Sequence, residues 1–232
     1  MTASATLSVD AALSLVVSEI EEDIVLGFLH PRERLVEDDL MRRFKVKRHV
    51  IRAALNELVK LGIVERRKNI GAVVRSYDYA ELEDLYDMRD LLEGEAARRM
   101  ACPAAPEDVA RLRALQAAHD QAVIDNNPRL IFKTNMAFHA ALFDLCPNRV
   151  MVAAIRYHFT QTHAVRSASA RSAAAQARSR HEHRAIIDAL EQGRREALVT
   201  LCREHIRPAR DEYLAINQHH FKRDLPDRKT AS

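Results

Sequence analysis

Apolar residues recur at helical spacing along most of the chain, and only one short stretch carries the β-branched runs of strands. From Ser8 to Gly27, the residues Val9, Leu13, Val16, Ile20 and Ile24 repeat every three to four positions, which predicts a first helix with Gly27 as its C-terminal stop. After Pro31, the segment Glu37–Phe44 carries Leu40, Met41 and Phe44, and a longer one from about Lys47 to Leu61 carries Val50, Ile51, Leu55, Leu58 and Val59. These are two helices that meet at a tight corner. Ile63-Val64-Glu65 and Ala72-Val73-Val74 then flank the polar turn Arg66-Arg67-Lys68-Asn69 and Gly71, which predicts a hairpin.

Three helices and a hairpin in about seventy residues predict a winged helix-turn-helix, whose last helix enters the major groove of double-stranded DNA. Beyond Ser76 the strand signals stop. Helices are expected at 78–101, 106–125, 128–145, 148–168, 176–191 and 194–220, with breaks at Cys102-Pro103, Asn127-Pro128, Cys146-Pro147 and Gly193. The expected fold class is mainly α: an N-terminal winged helix-turn-helix domain over 1–76, then an all-helical bundle of six to seven helices over 77–232 that binds ligand and metal and dimerises. Within it, the Ala, Ser and Arg repetition from Ser167 to Ser179 reads equally as a linker or as a helix start, and the polar tail after Phe221 is expected to fray.

Composition narrows the function. Hydrophobic residues make up 47% and charged residues 30%, with only 5 glycines, and none of these has the spacing of a phosphate loop, a dinucleotide fingerprint or a nucleophile elbow. The net charge of +3 is small, but Pro31–Arg75 holds thirteen Lys or Arg against six Asp or Glu, so the basic charge is concentrated where the DNA-reading helix is expected. Cys102, Cys146 and Cys202 form neither a disulfide framework nor a zinc ribbon. With no secretory start and no long apolar run, the chain is expected to be cytoplasmic with no membrane partner.

At Pro31, Arg34-Leu35, Glu37, Leu40, Val46, Arg48, Arg52, Ala54-Leu55, Leu58, Gly62 and Gly71 the chain resembles the FadR-type branch of the GntR superfamily, bacterial regulators with a helical FCD domain at the C-terminus. Four positions depart from the family pattern: Arg32 and Lys45 stand where glycines are usual, Lys47 replaces a capping serine, and Val50 replaces a first-turn proline. The resemblance implies a transcription repressor or activator, homodimeric on operator DNA. Lys47, Arg48, His49 and Arg52 would read or grip the major groove, while Arg34 and the wing residues Arg67, Lys68, Asn69 and Gly71 would meet the backbone or minor groove.

A second constellation lies in the helical part. Asn135 and His139 are four apart on one helix face, and His183 and His205 lie ten residues before and twelve after Gly193, each about 15–18 Å from that turn along a helical hairpin. Three imidazoles and an oxygen donor meeting at one level suit a divalent metal, zinc first, with Ni, Mn or Fe also fitting. The same four positions match the metal site of FCD domains. Arg89 needs an anion if it faces the interior, either a ligand carboxylate or Glu93 four residues on, and Arg156, Tyr157 and Arg166 are further candidates for an effector pocket. The expected effector is a small organic or sugar acid. A metal-dependent helical-bundle enzyme is the alternative, although no His-Glu-x-x-His or Glu-x-x-His pair is present. The remaining histidines, His119 among them, are read as structural or solvated.

Overall fold

A computed structural model of the chain describes residues 8–166 and 172–224. They form two compact units, one running to Ser76 and taking in Thr160–Ala164, the other holding Tyr77–Phe159 and the chain from Val165 on.

The first unit opens with α1 (Val9–Val25), whose first turn is capped by the Ser8 hydroxyl accepting from the Ala11 amide at 3.2 Å. It ends where expected, with Gly27 in the left-handed region at φ +71°. Helices α2 (Glu37–Phe44) and α3 (Arg48–Lys60) follow, then the antiparallel pair β1 (Val64–Arg67) and β2 (Gly71–Val74), in register Val64 to Val74 and Arg67 to Gly71. α1 packs on α3, and Val16, Ile20, Ile24, Leu40, Ile51, Leu55, Leu58, Val64 and Val74 close a single core.

Two of the departures from the family pattern carry a backbone cost. Arg32 takes φ +70° and Lys45, the C-cap of α2, takes φ +54°, a conformation that crowds any Cβ. Arg32 is held by its amide on Val74 O at 2.9 Å and its Nε on Ser76 Oγ at 3.1 Å. Lys45 has an exposed side chain at the corner of the helix-turn-helix.

Six long helices follow among the described residues: α4 (Tyr79–Arg99), α5 (Pro106–Ile124), α6 (Pro128–Phe143), α7 (Arg149–Gln161), α8 (Ala173–Glu191) and α9 (Arg195–Asp224). Their starts follow local chemistry. Asp78 and Glu81 form a capping box on α4, α5 and α6 each begin with proline, and Asn127 caps α6. α4 packs on α9, α5 on α6 and α8, and α8 on α9. The core runs through Leu112, Phe138, Leu142, Ile155, Ile186, Leu190 and Leu198.

Three boundaries differ from those expected. α7 stops at Gln161 instead of 168, because Thr162 makes a turn before helical conformation resumes over 163–166; Thr160, Thr162 and His163 are weak helix formers. α8 starts at Ala173 instead of 176, with Ser172 accepting from the Ala175 amide at 3.3 Å, so the alanine-rich stretch is helix from there on and 167–171 lie outside the described residues. α9 runs to Asp224 through Pro208, and the tail beyond also lies outside the described residues. Among the described residues, no helix is long and apolar enough to cross a membrane.

Lys45→Gly is expected to raise stability by about 0.5–1 kcal/mol, since glycine adopts a positive φ without steric cost. Urea unfolding of the two proteins measures this; an unchanged or lowered midpoint would show that the Lys45 corner carries no strain.

Candidate nucleic-acid interface and metal centre

The DNA-facing candidates gather around the start of α3. Lys47 is the N-cap of this helix and makes no side-chain capping bond, and Lys47, Arg48, His49 and Arg52 are all exposed. Arg48 pairs with Asp38 at 2.6 Å, and the Nε of Arg52 lies 3.0 Å from Glu37, so the acidic first turn of α2 holds both guanidiniums. These are solvent-exposed pairs worth at most about 1 kcal/mol each, which leaves the arginines free to exchange carboxylate for phosphate or guanine.

Arg34 lies beside β2 through an isolated bridge to Val73, and Lys68, Asn69 and Gly71 stand exposed at the wing tip, with Asn69 at φ +63°. Arg67 is folded back on Glu65 at 2.7 Å. One residue absent from the sequence-based set is Arg66, whose Nη2 donates to Asn56 Oδ1 on α3 at 2.8 Å and ties the wing to the helix. Its neighbours Arg67 and Lys68 have the same charge, so the sequence carries no signal that singles it out.

In the helical unit, α6, α8 and α9 bring His139, His183 and His205 together, with candidate ligand nitrogens all within 4.8 Å of one another. Ring centroids are 5.1 Å apart for His139 and His183, 5.1 Å for His139 and His205, and 4.9 Å for His183 and His205. His139 and His183 are buried, and Phe138 stacks on His183 at 4.0 Å. The Nε2 atoms of His139 and His205 stand 3.3 Å apart. Two nitrogens on a tetrahedral ion with bonds of about 2.0–2.1 Å would be separated by about the same distance.

Burial, followed by the neighbouring imidazoles, pushes the pKa values of His139 and His183 well below the ordinary histidine range. Both rings are therefore neutral and have a lone pair to give. His205 Nδ1 faces Glu182 Oε2 at 2.6 Å, and His183 Nδ1 faces Gln116 Oε1 at 2.8 Å, whereas the Nδ1 of His139 is enclosed without a hydrogen-bond partner. Partners of this kind orient ligating imidazoles. Asn135 is half-buried one turn before His139 on α6, on the same side of that helix. Gln116 was missed because it is distant in sequence from every histidine but His119, itself buried, with Nδ1 3.0 Å from Thr134 Oγ1.

The effector candidates separate. Arg89 is buried and bound to Glu93 through Nε at 2.9 Å and Nη2 at 2.8 Å, so its charge is matched within α4. Arg166 is different. Its guanidinium lies 4.2 Å over the Phe159 ring, its Nη1 is enclosed without a hydrogen bond, and burial, then Arg89, lowers its pKa to about 10. The Tyr86 hydroxyl is likewise buried and unbonded, and the Arg89 guanidinium lies 5.2 Å from that tyrosine's ring.

Arg156 and Tyr157, expected at the pocket, face outward. Arg156 is exposed and pairs with Asp144 at 2.5 Å, and Tyr157 is 43% exposed. α7 buries Val152, Ile155 and Phe159, and the 3.6-residue period then carries 156 and 157 to the outside.

Comparison with known proteins agrees with both halves. The family of bacterial regulatory proteins, gntR family, matches residues 14–74, and the FCD domain matches residues 84–208. The Nta operon transcriptional regulator of Aminobacter aminovorans is 32% identical over 127 residues, 54% of this chain and 60% of that protein; the HTH-type transcriptional regulator YdhC of Bacillus subtilis is 27% identical over 57% of this chain and 59% of its own length. The matches thus span about three fifths of each relative. Among solved structures, a GntR transcriptional regulator from Rhodococcus sp. RHA1 superposes with a TM-score of 0.72 at 22% identity, covering 88% of this chain and 97% of that one. E. coli McbR/YncC does so at 0.70 and 18% identity, over 93% and 100%. With the winged helix-turn-helix and the helical domain each matched in order along the sequence, the chain belongs to the GntR family of bacterial regulatory proteins and carries an FCD domain.

Proposed function

We propose that this regulator is a cytoplasmic homodimer that binds operator DNA through 1–76 and answers to a small carboxylate bound beside a divalent metal in 77–232. The observation that carries the reading is the convergence of three histidines in a unit that also holds Arg166, whose Nη1 is enclosed without a hydrogen bond. The family is one of regulators, and the enzyme alternative draws no support from it.

His139, His183 and His205 would hold the metal, with Asn135 as a weaker, neutral fourth donor; the nitrogen-rich set favours zinc and also accepts Ni, Mn or Fe. Such an ion supplies an electrophilic site for a carboxylate oxygen. Arg166 takes the anion-pairing role first expected of Arg89, because Glu93 already satisfies Arg89. An enclosed guanidinium nitrogen without an acceptor is costly, so an organic acid that supplies one is stabilised in return. The effector would act by favouring one arrangement of the two DNA-reading units in the dimer.

Protein purified without chelator is expected to contain roughly one metal ion per chain, bound only by the folded form. His183→Ala and His205→Ala should each lose most of the metal and with it thermal stability, while Asn135→Asp should bind more tightly by restoring an anionic oxygen. Elemental analysis decides: a metal-free wild type, or full metal content in both histidine variants, leaves these residues purely structural.

Arg166→Met should abolish the thermal stabilisation that small carboxylates give the metal-loaded protein, whereas Arg156→Met should leave it unchanged. Equal loss in both would place the anion elsewhere.

On DNA, Arg48→Ala and Arg52→Ala should each weaken operator binding by about 1–3 kcal/mol. Arg67→Ala and Lys68→Ala should lower affinity for all sequences and flatten its salt dependence. Footprinting and salt titration test both statements, and operator affinity unchanged in Arg48→Ala and Arg52→Ala would remove α3 as the reading helix.

A further inference from the structure

Behind His183 runs a chain of hydrogen bonds that ends at the surface, and elementary chemistry assigns the proton at each link. Asp120, on α5, accepts at Oδ1 from Arg180 Nε at 2.7 Å and at Oδ2 from Arg184 Nη2 at 2.5 Å. Partial burial would raise the pKa of this carboxyl, but hydrogen bonds from Arg180, Arg184 and Gln116 outweigh it and leave the group below its usual value. An ionised carboxylate offers only lone pairs. The Gln116 atom 2.8 Å from Asp120 Oδ1 is therefore the amide nitrogen, and the amide oxygen is the atom left to face His183 Nδ1, also at 2.8 Å.

An amide oxygen can only accept, so Nδ1 of His183 carries the hydrogen and Nε2 carries the lone pair. The other tautomer has no low-energy arrangement. It would set the Nδ1 lone pair against the Gln116 oxygen, and turning the amide over would set that oxygen against Asp120. Gln116 is 3% exposed and His183 is fully enclosed, so solvent has little access to relieve either clash.

We infer that Gln116, oriented by Asp120 between Arg180 and Arg184, is a positioning residue that locks His183 as the Nδ1–H tautomer and keeps its Nε2 ready to donate to a divalent ion. This rests on the metal-centre reading above. The three histidines then differ in their support: Glu182 backs His205 directly, the Gln116–Asp120 relay backs His183, and no hydrogen bond backs His139 at Nδ1. The Ser179 hydroxyl, 3.4 Å from His183 Nε2, is placed to donate to that lone pair.

Two measurements on the full chain test this. Long-range 1H–15N spectra of metal-free, histidine-labelled protein report the tautomer, and zinc titration against a competing chelator reports affinity. Wild type should show His183 as Nδ1–H. Gln116→Leu should admit the Nε2–H form and weaken zinc binding about 10- to 100-fold, the usual size of such outer-shell effects. Gln116→Glu alone sets a second carboxylate oxygen against Asp120, so it is paired with Asp120→Asn, whose amide nitrogen can donate to it; this double variant keeps an acceptor at Nδ1 and should restore the tautomer and most of the affinity. The relay is overturned if wild-type His183 is Nε2–H, a result that needs no variant to fold, or if Gln116→Leu matches wild type in spectrum and affinity. A wild type that takes up no zinc overturns the metal-centre reading and the role given to Gln116 with it. That result is distinguishable from failure of the relay alone, in which wild type and the Leu variant bind zinc equally.

Discussion

Bringing three imidazoles together, two of them buried, constrains the whole helical unit. Burial and mutual repulsion forbid His139 and His183 a positive charge, so the site holds nitrogens with lone pairs aimed at a common point and few protons to share among them. Helices α6, α8 and α9 each contribute one ring, so the distances among the rings depend on how all three helices are packed.

The same low-dielectric interior carries an imbalance of opposite origin. Arg89 and Glu93 neutralise each other within one helical turn, while Arg166 stands over Phe159 with an enclosed, unbonded Nη1. Lone pairs without an acid and a guanidinium nitrogen without an acceptor are complementary deficits. On the proposed reading, a divalent ion and a carboxylate would answer both at once, and each would favour the other because their charges are opposite.

The DNA-reading unit keeps its charge in reserve differently. Glu37 and Asp38 hold Arg48 and Arg52 in exposed pairs, so the two arginines are oriented but not buried. Exposed pairs cost little to break, so both guanidiniums can change partner at little expense. Arg66, bonded to Asn56, sets the wing against the same helix without entering that exchange.

Local chemistry made most of the architecture legible from the residues alone. Helix starts follow from Ser8, Asp78, Asn127 and the prolines at 106 and 128, the wing follows from β-branched runs around Asn69 and Gly71, and the opposed spacing of His183 and His205 about Gly193 anticipates their meeting. Each of these depends on neighbours within a few residues or on a simple rise per residue. Facing and pairing across helices do not. Whether Arg89 spends its charge on Glu93 or on a ligand, whether α7 presents Tyr157 or Phe159 to the interior, and which side chain stands behind His183 depend on the rotation of each helix about its axis. That rotation is settled by the packing of the whole core, so the pairing of Arg89, the exposure of Arg156 and the place of Gln116 emerged only from the tertiary structure.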